Sequence, residues 1–481
     1  MHIVSWQRGA QNKPLEIHFR VFAFSCIGFL FKERIVSMKK EKAAPKNASR
    51  LKSIARALKY RNFRLFFTGQ SISLIGTWMQ RIAMGWLVYS MTNSAFLLGL
   101  VGFAGQLPTF LFSSFAGVLA DRMNRHRLLI VTQTMAMIQA LILALLVLMG
   151  SIAIWHIILL SILLGLINAI DNPVRQSFMV EMVERKEDYG NAIALNSSMV
   201  NGARLIGPSV AGILIAAVGE GICFLINGIS YLAVIAALLA MHITRKTATR
   251  KRSHIWRDLK EGFIYAFGFA PIRAILFLLS LVSLMGMSYA VLMPIIARDI
   301  LHGQANTLGF LMGAAGVGAL TGALTLASRK SVLGLGNWII RGAAALGVGL
   351  ILTSLSRMVW LSIITLLLVG FGMMVQMASS NTVLQTIVDD DKRGRVMSFY
   401  AMAFMGMAPS GSLIAGSLAS KIGAPNTLII GGTCCLIGSA VFARRLPKLR
   451  KIVHPIYVKM GIIPEIATGI GSATDLTLSQ K

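Results

Sequence analysis

The sequence predicts an all-α membrane protein of twelve transmembrane helices, six on each side of a basic linker. Three observations predict it. The first is composition: of 481 residues 55% are hydrophobic and only 14% charged, and the mean hydropathy is +0.70. A soluble domain carries roughly 25% charged residues, so much of this chain must face lipid. The second is the recurrence of apolar runs near the length of about 20 helical residues that a bilayer requires. The third is that the two halves of the chain carry matching segments.

In order, the expected spans are 63–89, 96–120, 127–149, 153–170, 199–219 and 221–242, then 273–297, 305–327, 333–355, 358–378, 397–420 and 426–443. Runs such as ALILALLVLMG (140–150) and WHIILLSILLGLI (155–167) do not alternate polar with apolar, as barrel strands would. Helices satisfy their own backbone in lipid, so such runs can cross. The expected organisation is a basic segment 1–61, a six-helix bundle 62–242, a linker 243–272, a second six-helix bundle 273–445 and a tail 446–481.

The formal net charge is +29. On a soluble chain that would indicate nucleic acid. Here the basic residues sit between apolar runs, so the expected partner is the lipid bilayer and not nucleic acid. Residues 1–61 hold fourteen Lys/Arg against three Glu, and further basic groups fall at 122–127, 245–260, 329–330, 392–395 and 444–451. The opposite loops carry little beyond Arg298, Arg357 and Lys421. Both termini and the linker are therefore expected on the cytoplasmic side. Residues 19–31, FRVFAFSCIGFLF, are too short to span comfortably, contain Arg20 and precede no small-residue cleavage pattern. Met38 opens MKKEKAAPKNASRLK, a start for a cytoplasmic leader, so residues 1–37 are expected to be a mis-assigned extension; an interfacial anchor and a disordered tail are the other readings.

The four cysteines form no CxxC pair and the eight histidines are scattered. No metal, cofactor or disulfide framework is expected, and no clustered constellation indicates an enzyme.

SAFLLGLVGFAGQLP (94–108) is matched by ANTLGFLMGAAGVGA (305–319), and GNAIALNSSMVNGARLIGPSVAG (190–212) by GRVMSFYAMAFMGMAPSGSLIAG (394–416). Duplicated halves let two bundles rock around a central site. The loop after the second span reads GVLADRMNRHRLL (117–129). Gly117 and Ala120 permit close helix approach, Asp121 can accept hydrogen bonds or pair with Arg, and Arg122, Arg125 and Arg127 anchor the loop at the lipid surface. Its counterpart GALTLASRKSVLG (322–334) lacks the acid.

GVLADRMNRHR resembles the signature loop G-x-x-x-D-R-x-G-R-R/K of the major facilitator superfamily, with Asn124 in place of the usual glycine. Within that superfamily NFRLFFTGQSISLIGTWMQRIAMGWLVY (62–89), DNPVRQSFMVEMV (171–183) and NGARLIGPSVAG (201–212) resemble the branch of the bacterial enterobactin exporter. The likeness implies twelve helices in two pseudo-symmetric six-helix bundles, the major facilitator fold. It also implies proton-coupled efflux of small molecules such as siderophores or drugs across a bacterial inner membrane by a monomer. It would place Asp121, Arg122 and Arg125 in a gating network on the cytoplasmic side, and it links a Gly/Pro-rich fifth span to antiport.

Within this frame the candidate cavity residues are Gln80, Arg81, Gln106 and Arg204, polar groups inside spans where charge is costly. Arg81 is read equally as facing the cavity or as snorkelling to the far surface. Gly207 with Pro208, Pro108 and Pro409 are candidate bends or packing kinks. Asp171 and Arg175 close span four as candidate gate or coupling groups, with Pro173 between them arguing against a simple helical pair. Asn381 and Gln385 take the equivalent place in span ten. Trp78, Trp86 and Tyr89 read as an interfacial belt. No acid falls at the middle of an expected span, which leaves coupling through Asp171 or Asp121, coupling carried by an ionised substrate, or uniport. Arginines without a central acid favour an anionic or neutral substrate; a lysophospholipid transporter of the same fold is the alternative.

Overall fold

The computed structural model describes residues 56–241, 263–329, 331–389 and 392–462, and of residues 114–122 and 180 the backbone alone. The chain divides into Met1–Arg56 and Ala57–Lys481, and the long helices all belong to the second unit. The expectations for residues 1–37 and for most of the linker lie outside the described residues.

Among the described residues twelve long helices succeed one another. In the first half they are α1 (Arg61–Thr92), α2 (Ala95–Arg122), α3 (Arg125–Leu148), α4 (Ile154–Glu181), α5 (Tyr189–Val218) and α6 (Glu220–Leu239). In the second they are α7 (Ala270–Ile300), α8 (Ala305–Ala327), α9 (Leu335–Leu355), α10 (Val359–Ile387), α11 (Arg393–Ile422) and α12 (Ala424–Lys459). Eleven of them, α2 to α12, are long and apolar enough to cross a membrane. α1 has the length, but Gln70, Ser73, Gln80 and Arg81 dilute its apolar run; the first three are buried against neighbouring helices.

Several helices outrun their expected spans. α4 continues from 170 to Glu181, α5 starts at Tyr189 and not 199, α10 continues from 378 to Ile387, and α12 continues from 443 to Lys459. Hydropathy locates the lipid slab, whereas helical hydrogen bonding continues wherever the added turns find a packing face. The joints α5–α6 and α11–α12 are single glycines, Gly219 at φ +81° and Gly423 at φ +83°, a conformation in which a Cβ would be strained.

The packing is duplicated. α1 rests on α5 and α6, α2 on α4, and α3 on α4 and α6; α7 rests on α11 and α12, α8 on α10, and α9 on α10 and α12. Among the described residues the halves meet most extensively along two seams, α2 with α11 and α5 with α8. Both are built on glycine. A Cβ on Gly99 would lie 2.6 Å from the Ser412 carbonyl and 2.9 Å from Gly416 Cα; one on Gly212 would lie 2.8 Å from both the Ala305 carbonyl and Gly309 Cα. The matched sequence segments thus place equivalent glycines in both seams, where close backbone approach replaces a hydrophobic driving force that lipid does not supply.

π-turns break α7 at Val282–Gly286 and Ile296–Ile300 and α11 at Met402–Gly406. Pro409 supplies no N–H to the turn before it, and the nearby Phe404 carbonyl accepts a hydrogen bond from Ser283 of α7. A neighbouring hydroxyl thereby satisfies backbone that the helix does not. Pro108 and Pro208 lie inside helices that continue through them, and both pack closely: Pro108 against Gly165 of α4, and the Pro208 carbonyl against Gly309 of α8.

Candidate functional site

Midway along α1 the Trp78 ring meets two guanidinium groups. Arg81 lies 4.7 Å from the ring centroid and Arg204, from α5, 5.1 Å. Residue 207 must be small for this: a Cβ on Gly207 would sit 2.5 Å from the Trp78 Cβ. Cation–π contacts of this kind contribute from about 0.5 kcal/mol when exposed to about 2 kcal/mol when desolvated.

Arg81 is exposed and Arg204 half-buried, although both lie in the middle of long helices. Arg204, Arg175 and Tyr231 act electrostatically on Arg81, and Tyr289 of α7 acts on Arg204. Among the described residues neither arginine pairs with a carboxylate. Two accessible cations sharing one aromatic platform can receive an anion, and guanidinium suits a carboxylate or phosphate through paired N–H donors.

Gln106 of α2 is exposed beside the first seam. Its Nε2 donates to the Gly102 carbonyl at 3.0 Å and to Ser412 Oγ of α11 at 3.4 Å. Gln80 turns the other way. Expected in the cavity, it is 3% exposed and fixed inside the first half: its Nε2 donates to Gln139 Oε1 at 3.1 Å, and Asn227 Nδ2 donates to its Oε1 at 2.5 Å. A buried amide needs partners for both ends, and α3 and α6 supply them.

Asp171 forms a second constellation. The extended α4 places it inside the helix and not at its end, and it is 3% exposed. Its Oδ1 accepts from Thr132 Oγ1 at 2.9 Å and Gln133 Nε2 at 2.7 Å, both from α3, and its Oδ2 lies 3.3 Å from Arg175 Nε. The helical pair that Pro173 argued against therefore forms, because α4 continues through the proline. Arg175 also donates to Asn172 Oδ1 at 2.7 Å. In α10, Gln385 donates to Asn381 Oδ1 at the same four-residue spacing, a neutral pair where the first half has an ionic one.

At the α3–α4 ends Arg125 pairs with Glu181. Asn124 caps α3 at φ −73°, its side chain accepting from the Arg127 N–H at 3.2 Å, so this turn needs no glycine. The side chains of Gly117, Asp121 and Arg122 lie outside the described residues.

On the face opposite the start of α1 and the end of α12, the Tyr89 hydroxyl donates to Asp299 of α7 and Arg298 Nη1 donates to Asn93 Oδ1 at 3.0 Å. The belt reading of Trp78 and Tyr89 does not hold: Trp78 is half-buried midway along α1, between Arg81 and Arg204, and Tyr89 is only 6% exposed. Trp78, Tyr89, Glu181, Asn227 and Asp299 were not singled out for these contacts by the sequence. The one available signal was the number of aromatic and polar residues on α1. Among the described residues no group of three His, Cys, Asp or Glu could hold a metal.

Comparison with known proteins agrees with this architecture. The family model of transmembrane secretion effectors matches residues 53–455. The staphyloferrin A transporter of Staphylococcus aureus is 27% identical over 80% of this chain and 97% of that protein. The multidrug efflux pump Tap of Mycolicibacterium fortuitum is 24% identical over 77% and 92%. Among solved structures, a POT family transporter in complex with 5-aminolevulinic acid superimposes with a TM-score of 0.64 at 12% identity, covering 81% of this chain and 96% of that one.

Proposed function

The chain belongs to the transmembrane secretion effector family of the major facilitator superfamily, and from that premise we propose that it exports an anionic small molecule, siderophore-like in class, by proton-driven alternating access. The observation that carries the substrate class is the pair of accessible guanidinium groups on one tryptophan ring. The relatives named for siderophore transport and drug efflux support the direction.

In this reading the termini face the cytoplasm, as the basic loops favour. The described seam contacts run from the far ends of α2, α5, α8 and α11 to about mid-span, which supports a state closed on the far side and open to the termini. An anion entering from the cytoplasm meets Arg81 and Arg204. Its charge offsets their mutual repulsion and lets the cytoplasmic halves approach. Asp171 is the proton site: when protonated it ceases to hold Arg175, whose charge then acts more fully on Arg81 and favours return of the anion-free carrier to the cytoplasm-open state.

The test is energised accumulation of a panel of anionic metabolites, including siderophores, in cells stripped of their main efflux pumps, with and without the full chain. Depletion of one compound, reversed by collapsing the proton gradient and abolished by Arg81→Gln with Arg204→Gln at unchanged protein level, is the expected result. Export that ignores both arginines would overturn the site. No export together with leaflet transfer of a labelled lysophospholipid would replace the exporter reading with lipid transport.

A further inference from the structure

The end of α12 is unlike the other helix ends. Past residue 443 it continues through Pro447 and Pro455 as an amphipathic helix, with Leu446, Leu449 and Val453 buried and Arg444, Arg445, Lys448, Arg450 and Lys451 exposed. No acid occurs anywhere in Ala424–Lys459. Beneath this segment, on the face where α1 begins and α12 ends, lies a cavity of about 200 Å³ walled by apolar side chains of four helices, among them Ile275 of α7, Ile339 of α9, Val383 of α10 and Leu449 of α12. Arg450, His454 and Tyr457 stand at its rim, and its lining contains no carboxylate. Arg450 donates one hydrogen bond, at 2.8 Å, to the neutral Asn337 Oδ1; a guanidinium has five donors.

We propose that this cavity is a structural lipid site that takes an acyl chain of an anionic phospholipid from the termini-side leaflet and holds its headgroup at Arg450 and His454. Three arguments select this occupant. The volume is below the roughly 300–1,000 Å³ of pockets that enclose a whole small molecule, so it suits the end of a chain. The walls described belong to the second half alone, away from Arg81 and Arg204 on α1 and α5. Among the described residues the rim is cationic without an acid to neutralise it, and basic pockets between helices at the membrane surface recognise anionic headgroups, each Lys or Arg contributing about 1 kcal/mol.

The experiment is native mass spectrometry of the full chain released from nanodiscs of phosphatidylcholine containing about one fifth phosphatidylglycerol. Retention of phosphatidylglycerol over phosphatidylcholine is expected. Arg450→Gln should lower that preference about fivefold, and Leu333→Trp, at an exposed position of the cavity wall, should abolish retention of long-chain lipid while a dihexanoyl phosphatidylglycerol still binds. Arg450 and Leu333 are both exposed, so folding should survive either change; an unchanged unfolding midpoint in pure phosphatidylcholine checks that. Equal retention of both headgroups by the native chain, or undiminished preference in Arg450→Gln, would overturn the headgroup assignment. Unchanged long-chain retention in Leu333→Trp would overturn the cavity.

Discussion

Tyr89 in α1 donates its phenolic hydrogen to the carboxylate of Asp299 in α7, a contact between the two halves across 210 positions of sequence. It sits on the face opposite the start of α1 and the end of α12, beside the Arg298–Asn93 hydrogen bond. Hydrogen bonds to charged acceptors contribute about 1.5–3 kcal/mol, and Asp299 is exposed, which favours the lower figure. Tyr89→Phe should therefore raise the ratio of far-side-open to far-side-closed molecules roughly tenfold. Spin labels at Met91→Cys and His302→Cys would read this as a growing long-distance population. An unchanged distance distribution would mean that the contact does not hold the far side shut.

The glycine seams predict a different defect. A Cβ on Gly416 would stand 2.6 Å from the Ala95 carbonyl and 2.7 Å from Gly99 Cα, both backbone atoms that no side-chain rotation can move. Gly416→Ala should force α2 and α11 apart at about 1–3 kcal/mol, opening the far side as Tyr89→Phe does but without touching a polar group. Gly212→Ala should do the same at the α5–α8 seam, where the Ala305 carbonyl is 2.8 Å away. The equivalence is checkable: the two substitutions should give matching label distances, and a defect at one seam only would argue against a shared pseudo-symmetric hinge.

For Asp171 the substitutions separate charge from packing. Asparagine retains an oxygen for the Thr132 and Gln133 donors but cannot pair ionically with Arg175. Asp171→Asn should fold, retain substrate counterflow and lose its response to a proton gradient. Asp171→Leu removes the acceptor as well and leaves a largely buried Arg175 without its carboxylate, costing about 3 kcal/mol. A lowered thermal midpoint for leucine alone, with proton response lost in both, is the expected pattern. Gradient-driven export persisting in Asp171→Asn would move the coupling site elsewhere.

The fold was legible because lipid imposes a simple rule: apolar runs long enough to cross must be helices. The repeats at 94–108 and 305–319 and at 190–212 and 394–416 also carried the seam glycines, although sequence alone did not say that Gly99 meets Gly416 and Gly212 meets Gly309. The site was legible only in part. Arg81 and Arg204 stood out as charges inside spans, but which way a side chain points depends on helix rotation, which composition does not encode. Gln80, one residue before Arg81, points into the bundle for that reason. The helix around Asp171 runs past its expected end because Asp171, Asn172 and Arg175 end the hydropathic run without ending the helix. Tyr89 and Asp299 could not be paired in advance, since nothing local in either segment refers to the other.

Trp78 offers the most discriminating prediction for the substrate site. Its ring orders two cations that would otherwise repel, so its loss should disorganise both at once. Trp78→Phe keeps an aromatic face of smaller area and should weaken transport modestly; Trp78→Leu keeps volume without the quadrupole and should weaken it by about tenfold, the loss of roughly two cation–π contacts of partly exposed strength. Arg81→Lys should fare nearly as badly, because an ammonium cannot offer the paired planar donors that suit a carboxylate. The effects should fall on apparent substrate affinity more than on maximal rate, since these groups contact the ligand and not the seams. In a double-mutant cycle, Trp78→Leu with Arg204→Gln should cost less than the sum of the single changes, as both remove the same organised pair. Strict additivity would mean that the ring and the guanidinium groups act on the substrate independently, and the shared platform would then be incidental to binding.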